Sequence, residues 1–182
     1  MDIYLKKLSL DDREQVIDYI KEFKKEKLDS IAGHIPYHFV VTEDFDGYYK
    51  RVVELENNPP EGKVKATQFL ALRKIDNYLV GLVNVRHELN ENLTKNGGHI
   101  GYSVRPSERS KGYAKSALKL ALEFGFNQLQ LESILLTVLE TNAPSIKVIE
   151  KFNPVEDQVY IDEKGNIFRR FWINKKIKEN KK

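Results

Sequence analysis

Apolar positions along this chain fall into two rhythms. From Ile3 to Leu8, Thr67 to Arg73, Tyr78 to Arg86, His99 to Val104, Ser133 to Leu139, Val155 to Ile161 and Phe168 to Ile173 they crowd or alternate over short runs, the pattern of strands. Val16, Ile17, Ile20 and Phe23 instead recur at helical spacing, as do Phe45, Tyr48, Tyr49, Val52 and Val53. A third helical run covers Lys115 to Phe126, and a short one Ala143 to Lys151. The punctuation agrees. Ser9 with Asp12 three residues on makes a capping box, Asn142 caps the last helix with Pro144 just inside it, and Asn57-Asn58-Pro59-Pro60 ends the second. Lys74 to Asn77 and Glu163 to Asn166 are hairpin turns, whereas Ile31 to Val41 is irregular and Glu88 to Gly98 is a polar loop long enough to be functional. Mixed strands and helices in this order predict an α/β (mixed α+β) fold, a central mixed sheet with helices on both faces.

One junction carries chemistry. The strand ending at Val104 runs through Arg105-Pro106-Ser107-Glu108-Arg109-Ser110-Lys111-Gly112-Tyr113-Ala114 into the third helix. The first N–H groups of a helix lack internal partners and sit at the positive end of its dipole, so an anion fits there. Arg109 and Lys111 add charge, Gly112 lets backbone approach a ligand, Ala114 keeps the first turn slim, and Ser110 is placed to cap the helix.

Composition narrows the classes. A chain of 182 residues with 41% apolar and 31% charged residues is expected to be one soluble domain, residues 1–174, followed by a basic tail, 175–182. No apolar run reaches membrane-span length and no signal sequence opens the chain, so a cytoplasmic location is expected. The absence of cysteine excludes disulfides and an acyl-cysteine intermediate. His34, His38, His87 and His99 are scattered without zinc spacing, so no metal is expected. The tail alone is a weak basis for nucleic-acid binding, which is not expected. A phosphate-loop NTPase is set aside because Lys111 precedes Gly112 rather than following it.

The spacing Arg109-x-x-Gly112-x-Ala114 resembles the pyrophosphate-binding motif of the GNAT superfamily of N-acetyltransferases. Three further segments fall in that family's order: Val80-Gly81-Leu82-Val83, Gly98 to Pro106, and Asn142-Ala143-Pro144-Ser145 with Val148 to Lys151. Arg86-His87, the Gly97 to Tyr102 run and Arg170-Phe171-Trp172-Ile173 are similar to a group of bacterial predicted acetyltransferases. The resemblance implies a sheet in which two parallel strands, ending at Val104 and Leu139, splay apart to hold acetyl-CoA. It implies Val104 N–H as the oxyanion donor, and contacts to the cofactor from Arg109, Ser110, Lys111, Gly112, Tyr113, Ala114, Asn142 and Ser145. The implied reaction is direct attack of an amine on acetyl-CoA, the acceptor being a small molecule or a protein N-terminus, and homodimers are common in the family.

Two proton transfers need groups. His99, on the acetyl-CoA strand, is the first candidate for the base; His87 and Glu140 follow. The family's usual thiolate acid is a tyrosine seven residues after the capping asparagine, and here that position is Ile149. Tyr102 is the substitute considered, with Tyr113 behind it. The missing tyrosine also motivates an alternative, a non-catalytic CoA or acyl-CoA sensor.

Overall fold

The computed structural model describes residues 2–24, 30–33 and 35–175. Its strands are β1 (Ile3–Lys7), β2 (Ser30–Ile31), β3 (Ile35–Pro36), β4 (Ala66–Arg73), β5 (Leu79–Arg86), β6 (Ile100–Val104), β7 (Ser133–Leu139), β8 (Val155–Ile161) and β9 (Ile167–Asn174). The α-helices are α1 (Arg13–Phe23), α2 (Tyr37–Thr42), α3 (Phe45–Asn57), α4 (Glu91–Lys95), α5 (Tyr113–Asn127) and α6 (Ala143–Ile149). Most of the basic tail, 176–182, and His34 lie outside the described residues.

Strands pair in the order β1-β4-β5-β6 in a four-stranded antiparallel sheet and β7-β9-β8 in a three-stranded one; β2 and β3 form a small hairpin. β4 and β5 are buried along nearly their whole length, which is why their sequences read as apolar runs rather than alternation. Each face of the larger sheet carries its own core. Val16, Tyr19, Ile20 and Phe23 of α1, with Phe45, Tyr48 and Val52 of α3, cover Leu70, Leu72, Leu79 and Leu82 on one face. On the other, Ala117, Leu118, Ala121 and Leu122 of α5 pack on Phe69, Val83, Val85 and Ile100. The α5 core also takes in Ile134, Leu136, Val138, Phe171 and Ile173 from the second sheet, so one helix joins both sheets. Each such fully buried Leu or Ile contributes about 1.5–3 kcal/mol.

The sheets meet at a narrow seam. His99 N–H donates to Leu135 O at 2.8 Å, Leu135 N–H returns a bond to His99 Nδ1 at 2.9 Å, and Gly97 N–H reaches Thr137 Oγ1 at 2.7 Å. Gly98 lies against this contact with φ +59°, and a Cβ there would stand 2.5 Å from Leu135 O, so only glycine fits. From the seam β6 and β7 both run toward one cleft, where Val104 and Asn142 are found together. They share direction without pairing beyond the seam, which is the expected splay.

The remaining differences from the sequence reading are local. The Glu88 to Gly98 loop contains the short helix α4, capped by the Asn90 side chain accepting from Leu93 N–H at 3.0 Å. Ser110 does not cap α5. It sits in the left-handed region with φ 62°, and Gly112, φ 83°, is the residue from which the helix starts, without a side-chain cap. The turn consumes the residues that a serine cap would need.

Candidate functional site

Three elements enclose a cleft of about 440 Å³: the end of β6, the loop into α5, and the start of α6. Tyr102, Val104, Arg109, Ser110, Gly112, Tyr113, Ala114, Asn142 and Ser145 all line it, and with them Glu108, Lys115, Pro144 and Val148, none of which was among the expected cofactor contacts. Pro144 and Val148 were legible in principle, lying one helical turn apart on the face that Asn142 starts. The positive φ of Ser110 and Gly112 folds the loop over the α5 N-terminus, whose first N–H groups face outward without helix partners.

Backbone register aims one further donor. Arg105 N–H, just past β6, bonds Val80 O at 2.9 Å, and in this antiparallel register Gly101 and Ser103 turn their backbone groups to β5 in the same way. By alternation Val104 turns its N–H the other way, toward the gap between the sheets.

Tyr102 Oη lies 2.9 Å from Ser145 Oγ, bridging β6 to α6 across the cleft, and burial pushes the phenol above its ordinary range. Ile149, at the position of the family tyrosine, is 1% exposed in the α5 core. Asn142 Oδ1 accepts from Ser145 N–H at 3.2 Å, so its cap is made and Ser145 is held in place. Lys111 is outside the cleft lining; its Nζ pairs with Glu108 at 3.1 Å.

The histidines lie elsewhere. His99, 5% exposed, is shut into the seam with its Nδ1 lone pair taken by Leu135 N–H, and its ring stands edge-on to Trp172. Burial and the neighbouring Arg86 charge push its pKa down to about 4. A nitrogen already occupied and sealed from solvent has no place for an ammonium proton, so the structure opposes the expectation of His99 as base and gives it the task of joining two sheets. His87 is also away from the cleft, 2.9 Å from Thr67 Oγ1 at the far end of β5. Burial lowers its pKa as well. Glu140 is exposed immediately after β7, its N–H bonded to Ile167 O at 2.9 Å.

The loop is braced by α1. Arg105, 1% exposed, donates through Nε to Leu79 O at 2.8 Å and through Nη1 to Asp18 at 2.7 Å and Glu22 at 2.8 Å, stacked over Tyr78. Glu22 also accepts from Ser107 N–H at 3.0 Å. Burial works against the Glu22 charge, but the Ser107 and Arg105 bonds outweigh it and hold the carboxyl below its ordinary range. That contribution is present above the unfolded-state pKa and is lost as pH falls through the folded one. Glu22→Gln should therefore cost about 1–2 kcal/mol near neutrality and close to nothing in acid, as read by urea unfolding at both pH values.

A larger cavity, about 800 Å³, lies at the other end of α5 between Lys119, Phe126, Phe152 and Lys175, and holds none of the expected site residues. Among the described residues no helix is long and apolar enough to cross a membrane, and no cluster of three or more His, Cys, Asp or Glu is placed to hold a metal.

Two antiparallel sheets, splayed beyond their seam so that β6 and β7 open on one cleft, make the acyltransferase-like α/β fold that the resemblance implies. The chain belongs to the acetyltransferase (GNAT) domain family, whose sequence pattern matches residues 3–153. It is 38% identical over 52 residues to the uncharacterized N-acetyltransferase YnaD of Bacillus subtilis, a match that spans 29% of this chain and only 31% of that protein. Its fold is similar to a spermidine N-acetyltransferase SpeG chimera from Vibrio cholerae and hSSAT, with a TM-score of 0.67 and 18% identity over 96% of both chains. The Vibrio cholerae spermidine/spermine N-acetyltransferase SpeG in complex with manganese ions gives 0.65 and 20% identity over 94% of this chain and 92% of that one. At such identities the structural likeness concerns the fold.

Proposed function

We propose that this member of an acyltransferase family moves the acetyl group of acetyl-CoA directly to a primary amine. The observation that carries the reading is the single cleft in which the Arg109–Ala114 loop, the gap beside Val104 and the Tyr102–Ser145 pair come together. The α5 N-terminus and Arg109 hold the pyrophosphate. The amine nitrogen attacks the thioester carbon, and Val104 N–H receives the negative charge that grows on the carbonyl oxygen. The C–S bond then breaks, and Tyr102 gives its proton to the leaving thiolate. Its raised pKa keeps it protonated at working pH. Before attack the ammonium loses one proton to Glu140, which stands exposed two residues before Asn142, through solvent at the open end, and the proton that the nitrogen sheds once the C–N bond has formed restores Tyr102.

Tyr102 in the cleft supports the catalytic reading over a binding-only sensor, whose motive was a missing acid. Tyr102→Phe should lower kcat by about 100-fold and leave the KM for acetyl-CoA nearly unchanged, in a steady-state thiol-release assay. The reading itself is tested by titrating the protein with acetyl-CoA and then measuring amine-dependent thiol release across a panel of acceptors. No binding sinks it; binding without transfer to any amine favours the sensor.

A further inference from the structure

A second, smaller cavity of about 190 Å³ opens on the α1 face of the larger sheet, beneath α4. It lies off the cleft: Arg86, at its wall, bonds to His99, five residues before Val104, which is about 16 Å of strand. Asn84 and Arg86 of β5, Lys63, and Asn90 and Asn92 of the 88–98 segment contribute its polar lining. Both charged lining residues are positive, and no carboxylate is among them.

Arg86 is unusual among the buried or half-buried arginines here. Arg73, Arg105, Arg169 and Arg170 each pair with an acid, whereas Arg86 pairs with none among the described residues. Its Nη1 is used up on Gly97 O at 2.8 Å and Gly98 O at 2.9 Å. Nε and Nη2 have no partner, yet they are not sealed from solvent. Those two atoms carry the parallel N–H groups of the guanidinium's long edge, whose spacing matches the two oxygens of a carboxylate. A guanidinium this short of counter-charge is costly to bury, and an incoming anion offsets that cost.

We propose that this cavity is a binding site for a small carboxylate, gripped side-on by Arg86 and further neutralised by Lys63. Its volume admits a molecule of a few heavy atoms rather than a lone water. The proposal is independent of the acetyl-transfer reading, because neither Arg86 nor the cavity touches the cleft.

The test is an NMR titration of the full chain with acetate, propionate and, separately, inorganic phosphate, following the Arg86 Nε–H and the Gly97 and Gly98 amides. The expected result is a saturable shift with the carboxylates at millimolar concentration and a weaker response to phosphate. Arg86→Lys keeps the charge and loses the fork, so carboxylate affinity should fall about tenfold or more. Should that variant fail to fold, Asn92→Asp provides the second arm. An acid in the first turn of α4 is compatible with the helix, and its charge in the same cavity lining should weaken carboxylate binding to a similar degree. The proposal is overturned by absence of a saturable shift at tens of millimolar carboxylate, by tighter binding of phosphate, or by unchanged affinity in the folded variants.

Discussion

Gly112→Glu should weaken acetyl-CoA binding by about 100-fold or more, roughly 2.7 kcal/mol, in a calorimetric titration. Two effects add. Gly112 has φ 83°, a region that L side chains adopt at a cost of about 1–3 kcal/mol. The new carboxylate would also face the pyrophosphate at the start of α5, where the dipole and the free N–H groups favour the ligand's charge. Gly112→Ala separates the terms, since it carries the strain without the charge. A thermal melt of each variant shows how much of the loss is folding. Wild-type affinity in Gly112→Glu would mean that the cleft does not receive a polyanion there.

The second large effect belongs to His99 and is one of stability. An unfolded-state histidine titrates near 6.5, whereas the folded one is held at about 4. Between those values the unfolded chain takes up a proton that the folded chain refuses, so stability falls as pH drops through this window and levels off below it. Protonation would set an Nδ1–H against Leu135 N–H, forcing the seam open. A shift of this size corresponds to about 3 kcal/mol. His99→Asn retains an acceptor near Nδ1 but no titrating group. Urea unfolding from pH 7 to pH 4 should show the wild type losing that much more stability than the variant; parallel curves would remove His99 from the account.

Periodicity made the strands and the long helices legible, because burial against a sheet imposes its own spacing on the sequence. The loop from β6 into α5 was legible too, since its features are local: a strand end, a glycine and a helix start. What failed to show was side-chain direction where the backbone breaks its rhythm. In Gly97-Gly98-His99 the φ angles 127° and 59° interrupt the alternation, so counting along the strand could not tell that His99 turns into the seam. Ser110 misled for a related reason, as its left-handed backbone moves the cap position on to Gly112. The Glu22–Ser107 contact joins residues 85 positions apart, and no short window contains both partners.

The two cores divide unequally. The α5 side is shared by both sheets, while the α1–α3 side is confined to the four-stranded one. Hydrogen exchange should accordingly be slowest in α5, β5 and β7, with α1 and α3 opening as a separate, less protected unit. Such a division lets one half of the molecule change while the other is held constant. Under the proposed reaction, drift in the helices that cover the α1 face would remodel the acceptor side while the α5 half, which would hold acetyl-CoA, keeps its shape.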